Sequence, residues 1–419
     1  MRRLYIAVLA NSLLAASDVA QPVPHSFLRQ EAYVWQRAWT PAVCDSVTEH
    51  GSAFSNLLVL AAEVSWKKDQ PEVVRVKVDY PKLIAARAHP GLVLRIGPYQ
   101  GGFSDKEPPI RALTSLASSL VAEAKANGAT PGELQLDFDC ADSKLEGYRA
   151  WVSAIRTALA PIPITITALP SWLKQPAFRR LIADLDGYVL QVHSLDRPKS
   201  FDSPFTLCDP STAKKAVELA ASFGVPFRVA LPTYGYLLAF APDGRFVGLS
   251  AEGRSKSWPP NAKLREVRAE PLEMERLVQF WSREHAPALQ GIIWYRLPTA
   301  ADHFNWRWPT LAAILDLHSP QEHVRTELRR VEAGLFEISL VNDGELDLSS
   351  RLAFVIHWPG ARLVASDGVN GFELVEINAS TGRVQNRSMS HRLRAGEKKK
   401  IGWLRLDKDV EVQIEITKP

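Results

Sequence analysis

Short runs of β-branched and aromatic residues alternate along residues 31–298 with longer segments of helical periodicity. Eight such runs predict strands, at Tyr33 to Trp39, Asn56 to Trp66, Leu92 to Tyr99, Leu134 to Cys140, Ile164 to Trp172, Tyr188 to Leu195, Phe227 to Tyr236 and Ile292 to Leu297. Amphipathic segments between them predict helices, at Ile110 to Asn127, Leu145 to Leu159, Ser211 to Phe223 and Pro271 to Ala286. Eight strand–helix repeats are typical of an α/β protein with a (β/α)8 barrel, also called a TIM barrel.

Two segments depart from a minimal barrel. The residues from Leu237 to Arg268 form a long insertion after the seventh strand, and Pro242-Asp243-Gly244 within it predicts the tight turn of a hairpin over the barrel mouth. From about Gln321, short alternating runs replace helical periodicity. We therefore predict a glycosidase-like barrel over residues 21–320 and a small antiparallel β-sandwich over residues 321–419.

The first twenty residues have a pattern of their own. Arg2 and Arg3 precede an apolar run from Leu4 to Ala16 that ends among small residues, as in a bacterial secretory signal peptide. The run is too short to span a bilayer as a helix. We expect residues 1–20 to be cleaved and the mature chain, without a membrane span, to be periplasmic or secreted; a frayed helix of a cytosolic protein is the alternative.

Composition narrows the function classes. Hydrophobic residues make up 46% of the chain and charged residues 23%, which is ordinary for a globular protein. The net charge is only +4 and the basic residues are scattered, so nucleic acid is not expected as a partner. No phosphate-binding glycine motif or dinucleotide fingerprint occurs, and no cofactor is expected. The three cysteines have no metal-site spacing, and we expect mainly buried packing residues.

The predicted fourth strand alternates apolar and polar residues. Its leucines and phenylalanine share one face, which must meet the helices, so Gln135, Asp137 and Asp139 should line the barrel interior. Two carboxylates two residues apart on a strand are about 6.6 Å apart at Cα, close enough for each to raise the proton affinity of the other. Such a pair can supply a general acid and an ionised stabiliser, which predicts Asp137 and Asp139 as catalytic residues.

A structural role is the alternative for these aspartates. They could be buried ion-pair partners of two arginines predicted to point inward, Arg95 and Arg228. We favour the functional interpretation, because buried charges in a barrel interior are costly unless the site uses them.

The same alternation, applied to the ends of the other strands, predicts a substrate-binding set of hydrogen-bonding and aromatic side chains. Its members are Glu63, Arg95, Tyr99, Gln191, His193, Tyr234, Tyr236, Trp294 and Arg296. Such a set suits a polyhydroxylated ligand. Trp294 is the candidate platform for a sugar ring if it points inward, and core packing is its alternative role. Glu63 could equally be a structural ion-pair partner, and His193 a satisfied interior histidine.

The segment from Leu134 to Asp139, the run Gly291-Ile292-Ile293-Trp294 and the insertion after the seventh strand resemble the family 18 chitinase-type barrels. These carry D-x-x-D-x-D-x-E on strand four and a Trp at the end of strand eight. The barrel segments are also similar to an uncharacterised bacterial domain family grouped with barrel glycosidases. The resemblance to the chitinase type implies an acid glutamate two residues after the last aspartate, but this chain has Ala141 there.

Three functions follow as hypotheses. The first is a carbohydrate-active hydrolase that cleaves a glycosidic bond of a polysaccharide or oligosaccharide, with Asp139 or a carboxylate from elsewhere as the acid. The second is a non-catalytic glycan-binding barrel that has lost the acid, which Ala141 favours. The third is a metal-dependent polysaccharide deacetylase using Asp137, Asp139 and His193, but a second histidine at ligand spacing is missing, so no metal residues are predicted. The oligomeric state stays open.

Overall fold

The computed structural model of the protein describes residues 28–67, 70–87, 89–103, 108–193, 197–251, 255, 257–284, 286–348, 352–386 and 392–417. The predicted signal peptide over residues 1–20 lies outside them. Within the described ranges, no helix is long and apolar enough to cross a membrane.

Eight parallel strands close into a barrel, which confirms the predicted fold class. The barrel strands are β1 (Arg29–Val34), β2 (Asn56–Lys67), β4 (Gly91–Ile96), β5 (Glu133–Asp137), β6 (Ile164–Ala168), β7 (Tyr188–Gln191), β8 (Phe227–Pro232) and β12 (Leu289–Tyr295). The ring closes because β1 pairs in parallel with both β2 and β12. One antiparallel strand that the sequence did not predict, β3 (Gln70–Arg75), pairs with the upper part of β2.

Helices follow the strands and cover the outside of the barrel. In the described residues they are α1 (Pro41–His50), α2 (Tyr80–Ala86), α3 (Pro108–Ala126), α4 (Leu145–Leu159), α5 (Pro176–Ile182), α6 (Pro210–Ala221), α7 (Pro271–Arg283) and α8 (Trp308–Leu315). Each of the longer helices buries one apolar stripe; in α4 this stripe includes Tyr148, Trp151 and Ile155. Asp209 caps α6 by accepting a hydrogen bond of 2.7 Å from the backbone N–H of Thr212.

The insertion after β8 is a three-stranded antiparallel sheet at the C-terminal end of the barrel. It consists of β9 (Gly235–Phe240), β10 (Phe246–Ser250) and β11 (Lys263–Arg268), with β9 in the centre. The predicted hairpin turn is confirmed between β9 and β10, where Gly244 has the positive φ of +86° that the turn requires. The third strand adds to the prediction, and we call this sheet the lid sheet.

Two four-stranded antiparallel sheets follow the barrel. One has the order β13 (Val324–Glu332), β14 (Leu335–Asn342), β19 (Lys398–Leu406), β16 (Leu363–Gly368). The other has the order β17 (Phe372–Asn378), β18 (Thr381–Asn386), β15 (Ala353–His357), β20 (Gln413–Thr417). Buried residues from both sheets, such as Ile338, Phe354 and Trp358, form one apolar core separate from that of the barrel. This arrangement is the predicted small sandwich.

Ion pairs fill the N-terminal end of the barrel interior. The guanidinium of Arg228 on β8 donates to Glu31 on β1 at 2.6 Å and to Glu133 on β5 at 2.6 and 2.7 Å. One layer further along, the Tyr33 hydroxyl donates to Gln135 at 2.5 Å. Arg228 therefore does not pair with the aspartates of strand four, and that alternative from the sequence is wrong for this arginine.

Candidate active site

A cavity of about 120 Å³ opens where the barrel strands end at their carboxyl termini. Its lining combines carboxylates, one guanidinium, amide and hydroxyl groups, and aromatic rings. The lining residues are Tyr33, Trp35, Arg95, Asp137, Asp139, Thr167, Gln191, His193, Ala230, Tyr234, Tyr236 and Tyr295. Seven residues predicted from the sequence therefore meet in one place, namely Asp137, Asp139, Arg95, Gln191, His193, Tyr234 and Tyr236.

The local sequence explains why Asp137 points into the barrel. Leu134 and Leu136 are fully buried on the outer face of β5, and Phe138 packs against Tyr148 of α4 with ring centroids 5.2 Å apart. Because side chains alternate along a strand, the intervening aspartate must face the interior. Asp137 is the last residue of β5, so its carboxyl group lies at the floor of the cavity.

Asp137 is held by neutral donors and has a cation nearby. The Thr167 hydroxyl donates to its Oδ1 at 2.7 Å and the Gln191 amide at 3.4 Å, while Arg95 Nε lies 3.8 Å from Oδ2. Burial and, next, the charge of Asp139 raise the pKa of Asp137 to about 6, although Thr167 and Arg95 oppose the shift. Asp137 is thus a carboxyl group that can hold a proton close to neutral pH.

Asp139 lies beyond the end of β5, at the rim of the cavity, where it is exposed to solvent. In the described part of the chain it has no hydrogen-bond or ion-pair partner. Partial burial raises the pKa of Asp139, and the charge of Arg95 opposes this. The two aspartates titrate as an interacting pair, so one proton can be shared between them over part of the pH range.

Glu63 lies beside the cavity but does not line it. Its carboxylate accepts hydrogen bonds from Arg37 Nε at 2.6 Å and from Arg95 Nη1 at 3.3 Å. Glu63 therefore positions the arginine that faces Asp137. The alternative role predicted for Glu63, that of an ion-pair partner, is therefore the contact that the structure contains.

Aromatic rings form much of the cavity wall. Tyr33 lies on β1 and Trp35 follows its last residue. Their rings contact each other at a centroid distance of 5.3 Å, and both contact Tyr295 at the end of β12. On the lid side, Tyr234 contacts Tyr295 at 5.3 Å and Tyr236 at 5.0 Å. The sequence missed Tyr33, Trp35 and Tyr295, although the first two lie on alternate positions at the end of the first strand and could have been found by the same argument as Asp137.

His193 lies between these rings in an uncharged state. Its ring is 6.0 Å from that of Tyr234 and 6.1 Å from that of Tyr295. Burial lowers the pKa of His193 to about 4, while an interaction with the Ala230 backbone opposes the shift. Its Nδ1 atom is buried and has no hydrogen-bond partner among the described residues. A neutral histidine adds a polar wall to the cavity but no positive charge.

Three predicted binding residues lie elsewhere. Trp294 is fully buried, packs against Trp306 and donates its indole N–H to Gln30 at 2.9 Å, so it cannot stack on a ligand in the cavity. Tyr99 follows the end of β4 and packs on Trp66 on the outside of the barrel. Arg296 forms an ion pair with Asp302 in the loop after β12.

Larger recesses occur away from the aspartate pair. They measure about 680 Å³ between α3 and α4, about 500 Å³ between the barrel and the sandwich, and about 440 Å³ at the N-terminal end of the barrel. The last of these contains Glu31 and Glu133, the two carboxylates that already form ion pairs with Arg228. The site at the carboxyl ends of the strands is therefore selected by its chemistry and not by its volume.

Other reactive groups of the described residues are dispersed. No three His, Cys, Asp or Glu side chains in the described ranges are grouped closely enough to hold a metal ion. Cys44, Cys140 and Cys208 are buried free thiols. Two glutamates in and just after the insertion are also candidates for an acid from elsewhere: Glu270 is exposed at the start of α7, and Glu252 lies outside the described residues.

Comparison with known proteins gives two family matches and distant structural likenesses. Residues 105–300 match the family "Domain of unknown function (DUF3142)", and residues 326–407 match "Domain of unknown function (DUF8456)". No curated protein sequence matches the chain.

Similar solved structures include the spore cortex-lytic enzyme SleL of Bacillus megaterium, at 14% identity and a TM-score of 0.49 over 70% of this chain and 74% of that one. A chitinase of Chromobacterium violaceum has 14% identity and a TM-score of 0.47, over 69% of this chain and 98% of that one. These likenesses are too distant to assign a reaction. The part of the barrel from α3 to β12 therefore matches the DUF3142 family, and the sandwich matches a second family.

Proposed function

We propose that the protein is a carbohydrate-active hydrolase that cleaves a glycosidic bond, with Asp137 and Asp139 as its acid and stabilising carboxylates. The observation that carries this proposal is the placement of the two aspartates: both line one cavity at the carboxyl ends of the strands, and burial raises the pKa of each. Environments that keep one carboxyl protonated beside an ionised one are the requirement of glycosidic bond hydrolysis.

The reaction needs only the pair and water. The protonated carboxyl gives its proton to the glycosidic oxygen as the bond from that oxygen to the anomeric carbon breaks. The ionised carboxylate stabilises the positive charge that develops on the sugar ring. Water adds to the anomeric carbon and loses a proton to the carboxylate pair, which restores the starting state.

The pair shares one proton, which Asp137 holds at rest, and we propose Asp139 at the rim as the group that delivers it, because the next carboxylates along the chain are engaged. Asp142 accepts hydrogen bonds from Ser171 at 3.0 Å and from Gln175 at 3.1 Å. Glu146, the first glutamate after the pair, forms ion pairs with Arg149 and Arg180. Asp139 lies at the rim and is free of such partners among the described residues, so it can reach a leaving group that enters from solvent.

The test is the substitution Asp139→Asn, which removes the transferable proton at nearly constant volume. Soluble chitin oligosaccharides, partially deacetylated chitosan and cello-oligosaccharides are offered, and release of reducing ends is measured. We expect a loss of at least about a hundredfold in rate with the most responsive glycan, since general acid catalysis contributes about that much or more.

Asp184→Asn is the matched control. Asp184 is exposed in the loop between α5 and β7, at the opposite end of the barrel, so its substitution should leave the rate unchanged. Full activity of Asp139→Asn, with both variants folded, would remove Asp139 from the mechanism. Thermal stabilisation by a glycan without any turnover in the native protein would favour instead the glycan-binding barrel, which Ala141 supports.

A further inference from the structure

The rings of the cavity wall enclose a space and do not form a flat platform. Relative to Tyr295, the ring of Tyr33 is inclined by 65°, that of Trp35 by 62° and that of Tyr234 by 76°. Tyr236 is in turn inclined by 77° to Tyr234. A platform on which a pyranose ring stacks needs one open ring face, whereas steeply inclined rings around a small volume are the arrangement of an aromatic cage.

The ionisable groups that line the same cavity can carry a net negative charge. Asp137 and Asp139 line the cavity, and Arg95 is the one guanidinium among the lining residues that the structure describes. Arg95 pairs not only with Asp137 but also with Glu63, and Glu63 in turn pairs with Arg37. His193 contributes no positive charge, because its pKa is far below neutral. When both aspartates are ionised, the described lining residues carry one more negative than positive charge, and a cation that enters the cavity favours this state over the singly protonated one.

The volume limits what can enter. A cavity of about 120 Å³ is smaller than the roughly 300 Å³ at which pockets for drug-sized ligands begin. It has room for one substituent of a sugar and the adjoining edge of the ring. The protein should therefore recognise a ligand mainly by the group that the ligand inserts between the tyrosines and the aspartates.

We propose that this aromatic and acidic cavity binds a protonated amino group, and that the sugar recognised by the protein carries a free amine in place of a hydroxyl or acetamido group. The choice of a sugar as the carrier of the amine rests on the proposed function. Aromatic faces attract cations, and the carboxylate of Asp139, which has no ion-pair partner among the described residues, adds a charge-assisted hydrogen bond that a neutral substituent does not form. Carboxylate, sulfate or phosphate substituents would meet the aspartates with like charge.

Three monosaccharides that differ in one substituent test the proposal without depending on linkage. Glucosamine, N-acetylglucosamine and glucose are titrated into the full protein near pH 6.5, where the amine is protonated, and binding is measured by calorimetry. We expect glucosamine to bind about tenfold more tightly than glucose, with N-acetylglucosamine no tighter than glucose. Equal affinity for all three sugars, or preference for the acetylated one, would overturn the proposal.

Variants of one wall residue separate the cation from ordinary sugar contacts. Tyr236→Phe keeps an aromatic face, whereas Tyr236→Leu removes it at the lid side of the cavity. The preference for glucosamine over glucose should persist in the Phe variant and fall at least threefold in the Leu variant. The Asp184→Asn variant, at the far end of the barrel, should keep the full preference. A preference that survives Tyr236→Leu and Asp139→Asn alike would place the amine elsewhere and refute the cage.

A probe without any sugar distinguishes failure of this inference from failure of the proposed function. Tetramethylammonium chloride is compared with sodium chloride at equal ionic strength, and protection of the protein against thermal unfolding is recorded. Stabilisation by tetramethylammonium in native protein that binds no sugar would sustain the cation site and reject the carbohydrate reaction. Hydrolysis of glycans without preference for the amine, and without an effect of tetramethylammonium, would sustain the reaction and reject the cation site.

Discussion

Asp137 combines a chemical role with an unfavourable effect on stability. Burial and the neighbouring Asp139 raise the pKa of this carboxyl to about 6 in the folded chain, whereas its ordinary value is 3.8. A raised pKa means that the folded chain binds the proton more strongly than the unfolded chain does. Folding is therefore most favourable while the group is protonated, and the stability falls as the pH rises from about 4 through 6.

The substitution Asp137→Asn should remove this pH-dependent loss. We expect the free energy of unfolding at pH 8 to exceed that of the native chain by about 1 to 3 kcal/mol, since one pKa unit corresponds to about 1.4 kcal/mol. Near pH 4 the two proteins should differ little, because Asp137 is protonated in the folded state. Urea unfolding at both pH values measures the difference. A variant that is less stable at pH 8 would show that ionised Asp137 is well accommodated.

The residue scale also explains which of the side chains predicted from the sequence lie at the cavity. On β5, polar residues alternate with leucines, so the phase of the strand is fixed by the sequence itself. On β12, Ile292, Ile293 and Trp294 are all fully buried, so no polar position indicates which face is inward. The prediction chose Trp294, and Tyr295 is the residue at the cavity. Tyr99 lies away from the cavity for another reason, because β4 ends at Ile96, three residues before it, and the chain there turns to pack Tyr99 on Trp66.

At the scale of elements, the number of barrel strands followed from the sequence, but their limits did not. The predicted first strand began at Tyr33, whereas β1 spans Arg29–Val34, since β1 pairs with β12 from Arg29 onward. The predicted seventh strand is two elements, because the chain leaves the barrel after Pro232 and starts the lid sheet at Gly235. These limits depend on partners distant in the chain, which local periodicity does not contain.

The start of helix α6 offers a test of a local hydrogen bond. Asp209 accepts the hydrogen bond from Thr212 N–H and so satisfies one of the free donors at the helix start. Asp209→Ala should lower the free energy of unfolding by about 1 kcal/mol, whereas Asp209→Asn, which keeps an acceptor, should lower it by only a few tenths. Urea unfolding of both variants measures this. Equal losses in the two variants would mean that the charge of Asp209, and not its hydrogen bond, stabilises α6.

At the scale of the whole molecule, the sandwich is connected to the loops that frame the barrel mouth. Arg392 pairs with Glu266 of the lid sheet at 2.8 Å. Arg394 donates to the backbone carbonyls of Asp302 and His303, both at 2.8 Å. Asp302 holds Arg296, the residue next to Tyr295 in the cavity wall. The sandwich therefore supports the loop after β12 from outside, and none of its described residues lines the cavity.

Arg394 is the residue through which this support can be measured. Arg394→Ala leaves two barrel carbonyls without their charged donor, and each such loss costs about 1 to 3 kcal/mol when the acceptor stays shielded from water. Because these carbonyls are partly exposed, we expect the free energy of unfolding to fall by about 2 kcal/mol. Arg383→Ala is the matched control, since Arg383 is exposed on β18 next to the buried Val384 and should change stability by less than about 0.5 kcal/mol. Equal stability of the two variants in calorimetry would mean that the sandwich rests on the barrel without stabilising it.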